Sequence, residues 1–136
     1  MTDRIYRILG ISGIFLIFVF FVSACATAPG KEELEGLLKT TAEGYWQLRL
    51  EDKYDETYKI EDEKGLPPFD KYRDLASAIK KIKITSISIK DATVSDDKAK
   101  VDLDWTYELP QFPQPLHQIM ADYWVYKHGK WRHVFK

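Results

Sequence analysis

From residue 31 onward the apolar positions recur every three or four residues. Leu34, Leu37, Leu38, Ala42, Tyr45 and Trp46 fall on one side of a 3.6-residue period, which predicts a helix over 31–50. Pro29 and Gly30 punctuate its start, and Glu32 and Glu33 suit the positive end of the helix dipole. DKYDETYKI, 52–60, predicts a second, short helix with Tyr54 and Tyr58 one turn apart. EDEKGLPP, 61–68, reads as a turn. PPFDKYRDLASAI, 67–79, predicts a third helix, with the prolines tolerated at its start. Its shared face carries Phe69, Tyr72, Leu75 or Ala76, and Ile79.

Past residue 80 the period drops from 3.6 to 2. In KIKITSISIKDATV, 81–94, Ile82 and Ile84 keep one phase and Ile87 and Ile89 the other, so a β-bulge near Thr85–Ser86 is expected to bend the strand. SDDK is a turn. KAKVDLDWTYEL, 98–109, alternates strictly: Ala99, Val101, Leu103, Trp105, Tyr107 and Leu109 face one way, and charged or polar residues face the other. That is the pattern of a half-buried antiparallel strand. PQFPQP is a loop, because its three prolines cannot donate to a ladder. LHQIMADYWVYK, 116–127, and KWRHVFK, 130–136, form a closing hairpin around His128-Gly129. Three helices followed by a bent four-stranded antiparallel sheet make an α+β fold.

The first 24 residues belong to a different regime. Arg4 and Arg7 precede ILGISGIFLIFVFFV, 8–22, which carries no charge, and small Ser23 and Ala24 follow. This is the order of a secretory signal. Val22-Ser23-Ala24-Cys25 resembles the lipobox of bacterial lipoproteins, and Cys25 is the only cysteine in the chain. The resemblance implies cleavage between Ala24 and Cys25 and a diacylglyceryl group on the thiol of Cys25. Residues 25–30 would form a short tether to a domain over 31–136, held at a cell-envelope membrane. Several acyl chains, at about 0.8 kcal/mol per buried CH₂, make a durable anchor. Ala26, not Asp, follows the cysteine. By the sorting rule of some Gram-negative bacteria, this implies the inner leaflet of the outer membrane. The alternative is an uncleaved transmembrane helix over 8–28.

Residues 31–136 resemble the NTF2-like superfamily, a cone of helices against a curved sheet. The features that carry the resemblance are helix 1 running into YWQLRLEDKYDETY, the bulged long strand, and HGKW in the last hairpin. A cystatin-like arrangement of one helix on a sheet is the competing fold, and the second and third predicted helices argue against it.

A formal net charge of −1 offers no basic field for nucleic acid. One cysteine excludes an internal disulfide framework and a cysteine zinc cluster. His117, His128 and His133 lack compact metal-ligand spacing, and no glycine-rich phosphate loop or nucleophile elbow occurs, so no metal and no cofactor is expected. A two-residue turn at 128–129 would set Trp124 opposite His133, Tyr126 opposite Trp131 and Asp122 opposite Phe135. Asp122 and His133 would then be diagonal neighbours with Cβ atoms about 7 Å apart. A carboxylate and an imidazole on an aromatic wall are candidates for a base and its orienter. The blander alternative makes His133 a core-edge residue and Asp122 a solvated one. Tyr54, Tyr58, Trp105, Tyr107 and Trp124 are candidate pocket-lining residues, though such aromatics more often fill a core. Lys80, Lys81, Lys83 and Lys90 flank the isoleucines as guards of an edge strand.

The expected function is a membrane-anchored binding or protein-interaction module. Its partner would be an envelope protein, a glycan or a small apolar ligand, and a homodimer through the sheet is a further possibility. The alternative is a small enzyme of isomerase or dehydratase type, since the NTF2-like resemblance implies acidic, histidine or tyrosine side chains inside the cone.

Overall fold

The computed structural model describes residues 28–136. The signal segment and Cys25 lie outside the described residues. The order is α1 (Lys31–Leu50), α2 (Tyr54–Tyr58), α3 (Phe69–Ala76), a 3₁₀ turn (Ser77–Lys81), then β1 (Lys83–Ser95), β2 (Lys98–Glu108), β3 (Leu116–Lys127) and β4 (Lys130–His133). The four strands form one antiparallel sheet in sequence order.

Helix α1 buries Leu38, Ala42, Tyr45, Trp46 and Arg49, a stripe spaced by three and four. Leu37 lies off that stripe and is exposed. The stripe meets Ala92 and Val94 of β1, Ala99, Val101, Leu103 and Trp105 of β2, Trp124 of β3 and Trp131 of β4. All four tryptophans therefore belong to one core. A satellite core forms beneath α2 and α3, where Tyr54, Tyr72 and Ala76 meet Tyr58, Leu66, Phe69 and Phe135. In α3 Ala76, not Leu75, takes the buried position.

Two bulges bring β1 into phase with β2. The register shifts between Ile84 and Ser86 and again between Ile89 and Asp91. As a result Ile84, Ile87, Ile89, Ala92 and Val94 pair with Tyr107, Trp105, Leu103, Val101 and Ala99, one continuous face of β2. Each bulge adds local twist, and together they curl the sheet over α1.

The last hairpin turns at His128 and Gly129, with φ of 52° and 77°. Both sit in the left-handed region that two-residue hairpins require. Trp124 pairs with His133 and Tyr126 with Trp131, as the turn predicts. The ladder then stops at His133, so Asp122 has no partner in Phe135. Val134 instead donates its N–H to the Tyr123 carbonyl at 2.8 Å, and the Phe135 ring packs 4.9 Å from that of Tyr72.

A second departure from the sequence reading lies at 60–62. Glu61 and Asp62, expected in a turn, are buried. Glu61 makes a parallel bridge to His133: the His133 N–H donates to the Ile60 carbonyl at 3.0 Å, and the Asp62 N–H to the His133 carbonyl at 2.7 Å. The segment after α2 thus extends the sheet beyond β4 and places a glutamate in the core.

Candidate functional site

A polar network runs through the centre of this aromatic core. His133, on β4, is 5% exposed. Its Nδ1 lies 2.6 Å from Glu61 Oε2 and its Nε2 lies 2.7 Å from Asp122 Oδ1. An imidazole whose two nitrogens both donate to carboxylates is an imidazolium. Burial works against that charge. The hydrogen bonds to Asp122 and Glu61, with their negative charges, outweigh it and push the His133 pKa up to about 9.

Each carboxylate is further occupied. Asp122 Oδ2 accepts the indole N–H of Trp46 at 3.0 Å and of Trp124 at 2.8 Å. Glu61 Oε1 accepts the hydroxyls of Tyr45 at 2.6 Å and Tyr72 at 2.9 Å. Thr57 Oγ1 lies 2.8 Å from the Tyr72 hydroxyl. Arg49 donates from Nη1 to the Tyr45 hydroxyl at 2.7 Å and from Nη2 to the Ala76 carbonyl at 2.9 Å. Burial first, and Glu61 second, drive the Tyr45 pKa far above its ordinary value. Tyr72 rises for the same leading reason. The charges sum to zero, with Arg49 and His133 against Glu61 and Asp122. Aromatic faces insulate the charges: the Tyr45 ring stacks on His133 at 4.3 Å, and the Trp46 ring lies 5.4 Å from the Arg49 guanidinium carbon. In such surroundings a fully satisfied network is strong, and an unpaired member is costly.

A cleft of about 430 Å³ opens beside the network. Trp46 and Arg49 of α1, Ile79 of the 3₁₀ turn, Leu103 and Trp105 of β2, Met120 and Asp122 of β3, and His133 and Phe135 of the last segment line it. Asp122 and His133, the candidate acid–base pair, therefore meet directly at the cleft wall. Asp122 is 7% exposed, which removes the solvated alternative for that residue. The candidate aromatics separate. Trp105 lines the cleft, whereas Trp124 lies in the core behind it as a donor to Asp122. Tyr54 and Tyr58 belong to the satellite core, where the Tyr54 hydroxyl donates to Asp52 and that of Tyr58 to the Pro67 carbonyl. Tyr107 is half-buried on β2, away from this cleft.

Three members of the network escaped the sequence reading. Arg49 carried a usable signal, because it continues the stripe of Leu38, Ala42 and Tyr45. Glu61 and Thr57 carried none, since their burial is decided by distant partners. Among the described residues, no group of three or more His, Cys, Asp or Glu side chains could hold a metal ion.

No protein-family model and no curated protein matches this chain. Solved structures do match. A Campylobacter jejuni protein assigned provisionally as an NTF2-like transpeptidase superposes with a TM-score of 0.54 at 16% identity, over 73% of this chain and 98% of its own. A SEC-C-motif-containing protein from Rhodopseudomonas palustris superposes with a TM-score of 0.51 at 9% identity, over 66% of this chain and 69% of its own. These likenesses establish the fold. Helices followed by a curled four-stranded antiparallel sheet make an NTF2-like fold, and α2 and α3 set the single-helix alternative aside.

Proposed function

We propose that the chain is a lipid-anchored protein of a bacterial cell envelope whose NTF2-like domain binds a small apolar ligand in its cone and performs no chemistry on it. The anchor is supported by Val22-Ser23-Ala24-Cys25 behind a charged and then apolar leader. One observation carries the binding reading. The cleft is open and largely apolar, while the acid–imidazole pair on its wall is engaged within the protein. His133 has no free nitrogen to act as a base, and Asp122 already accepts three donors. A general base must reach a substrate proton, and neither group is free to do so. The size of the cleft suits a small ligand.

The enzyme reading keeps one point in its favour, which is that Asp122 and His133 border the same cleft. Substituting them does not separate the two readings, because both hold the core together. Native mass spectrometry of the full chain, extracted gently from its own membrane, does. A discrete extra mass, lost in Met120→Trp where the cleft wall is filled, is the expected result. A bare chain would overturn the small-ligand reading. Recovery of the ligand unchanged after prolonged incubation supports binding alone, and turnover would favour the isomerase- or dehydratase-type alternative. A denatured mass starting at Cys25 with added acyl groups tests the anchor in the same sample, and an unprocessed mass refutes it.

A further inference from the structure

A groove of about 300 Å³ lies between the flank of α1 and the edge strand β4. Leu37, Ile60 and Trp131 supply its apolar lining, and Lys59, Lys130 and Arg132 its charges. No carboxylate lines it. Leu37 is 43% exposed, so a leucine at this place leaves much apolar surface in water. Lys59, Lys130 and Arg132 take part in no ion pair among the described residues. Arg132 donates from Nη1 to the Lys59 carbonyl, which ties two of the basic residues together across two segments. The carboxylates that follow Lys59 are engaged elsewhere, Glu61 by His133 and Asp62 by Lys127. Glu33, one turn before Leu37, works against the three cations and is outnumbered.

The position of the groove decides what can reach it. Trp131 donates its indole N–H to the Leu34 carbonyl at 3.0 Å, so the groove lies beside the first two turns of α1. Leu37 is about 9 Å along the helix axis from Lys31. The segment from Cys25 to Gly30 reaches at most about 20 Å. A lipid on Cys25 would therefore keep this flank within reach of the bilayer surface. The other end of the domain is remote. From Leu116 to Lys127 β3 runs about 36 Å, and the exposed Phe112 lies beyond its start. An exposed leucine among unpaired cations, at the anchored end, matches the surface of an anionic leaflet. Headgroup phosphates take the cations, and the apolar side chain enters the boundary of the acyl region.

We infer that the domain lies down on its own membrane through this groove, with anionic phospholipid headgroups against Lys59, Lys130 and Arg132 and Leu37 in the interface. The inference rests on the lipid-anchor reading above and adds an orientation to it. The flank of α1 faces the bilayer, and the loop that carries Phe112 is held away from it.

The test uses the chain extracted from its own membrane and reconstituted into vesicles of phosphatidylcholine, alone or with a quarter of phosphatidylglycerol. A nitrobenzoxadiazole label on Leu37→Cys or on Phe112→Cys is read against spin-labelled lipid. With phosphatidylglycerol present the label at 37 should be quenched and shifted to the blue, the label at 112 should not, and high salt should reverse the change. Each cation at an anionic leaflet raises the docked population about fivefold. The double variant Lys59→Gln/Lys130→Gln should therefore lower it about 25-fold and restore the emission seen in phosphatidylcholine alone. Both lysines are exposed, so the change leaves the core intact. Equal emission at 37 in the two kinds of vesicle, quenching at 112 instead, or quenching at 37 that survives the double variant would overturn the docking and leave the anchor standing. A chain that takes two labels has an unmodified Cys25, which sinks the anchor and the docking together.

Discussion

Raising the pH should unfasten the core. His133 is protonated between two buried carboxylates and holds its proton up to a pKa of about 9, against 6.5 in an unstructured chain. A group whose pKa is raised by folding stabilises fully below its unfolded value and ceases to do so above its folded value. The contribution is therefore complete at pH 6.5 and below, and lost by pH 9 and above. At about 1.4 kcal/mol per unit of pKa, the difference amounts to about 3 kcal/mol. That is a large part of the 5–15 kcal/mol typical of a domain. The neighbouring tyrosines do not confuse the window, because burial drives Tyr45 and Tyr72 upward and Tyr54 up to about 12. Urea unfolding of the full chain in detergent, followed by tryptophan fluorescence from pH 6 to pH 10, reads the effect. The midpoint should fall steadily between pH 6.5 and 9 with a constant slope in urea, the steepest part corresponding to one proton. A midpoint independent of pH across that interval would refute the imidazolium clamp and the hydrogen-bond assignment behind it.

Other outcomes test the anchor, the core, the last turn and the sheet face. Cys25→Ser should remove the acyl groups and leave the leader uncleaved, read by intact mass against the wild type, and an unprocessed, unacylated wild-type chain would refute the lipid anchor. Trp124→Phe removes one of the three donors to Asp122 and leaves a hole in the core, so stability should fall by about 2 kcal/mol in urea titration. Gly129→Ala places a side chain in open space but at a φ of 77°, and should cost roughly 1–2 kcal/mol through the backbone alone. Sedimentation of the solubilised chain should show a dimer through the sheet, reverted to monomer by Ile119→Arg at an exposed position on β3, and a monomeric wild type would dismiss it.

The fold was legible where periodicity is local. The strict alternation of β2 and the left-handed turn at 128–129 placed Trp124 opposite His133, and with it Asp122 beside His133. The spacing of three from Ile84 to Ile87 announced the first bulge of β1. The same spacing from Ile89 to Ala92 marks the second, and Lys90 and Asp91 between them read equally well as the polar end of the strand. The site was legible only in half. Asp122 and His133 stand on regular strands, whose pattern fixes their neighbours. Glu61 lies in an irregular segment, and its partner is 72 residues away. No local pattern tells a buried glutamate from a solvated one when its charge is balanced by a residue on another element. Arg49 lies between these cases: the stripe of α1 places it inward, and its charge argued for the surface.

The network also sets a clock on biogenesis. Its members are scattered from Tyr45 to His133, and His133, which holds Glu61 and Asp122 in one frame, arrives with the final hairpin. A nascent chain extended only to residue 115 contains the segments of the three helices, β1 and β2, but it lacks Asp122, Trp124, Trp131 and His133. At that stage Glu61 and Arg49 have no reason to leave water, since desolvating an unmatched charge is prohibitive. Closing the core must therefore wait for the last strands. A polypeptide that stays open until its last strand is delivered can still be threaded through a narrow channel, and the same charges that later seal the core would meanwhile keep the unfinished chain from collapsing.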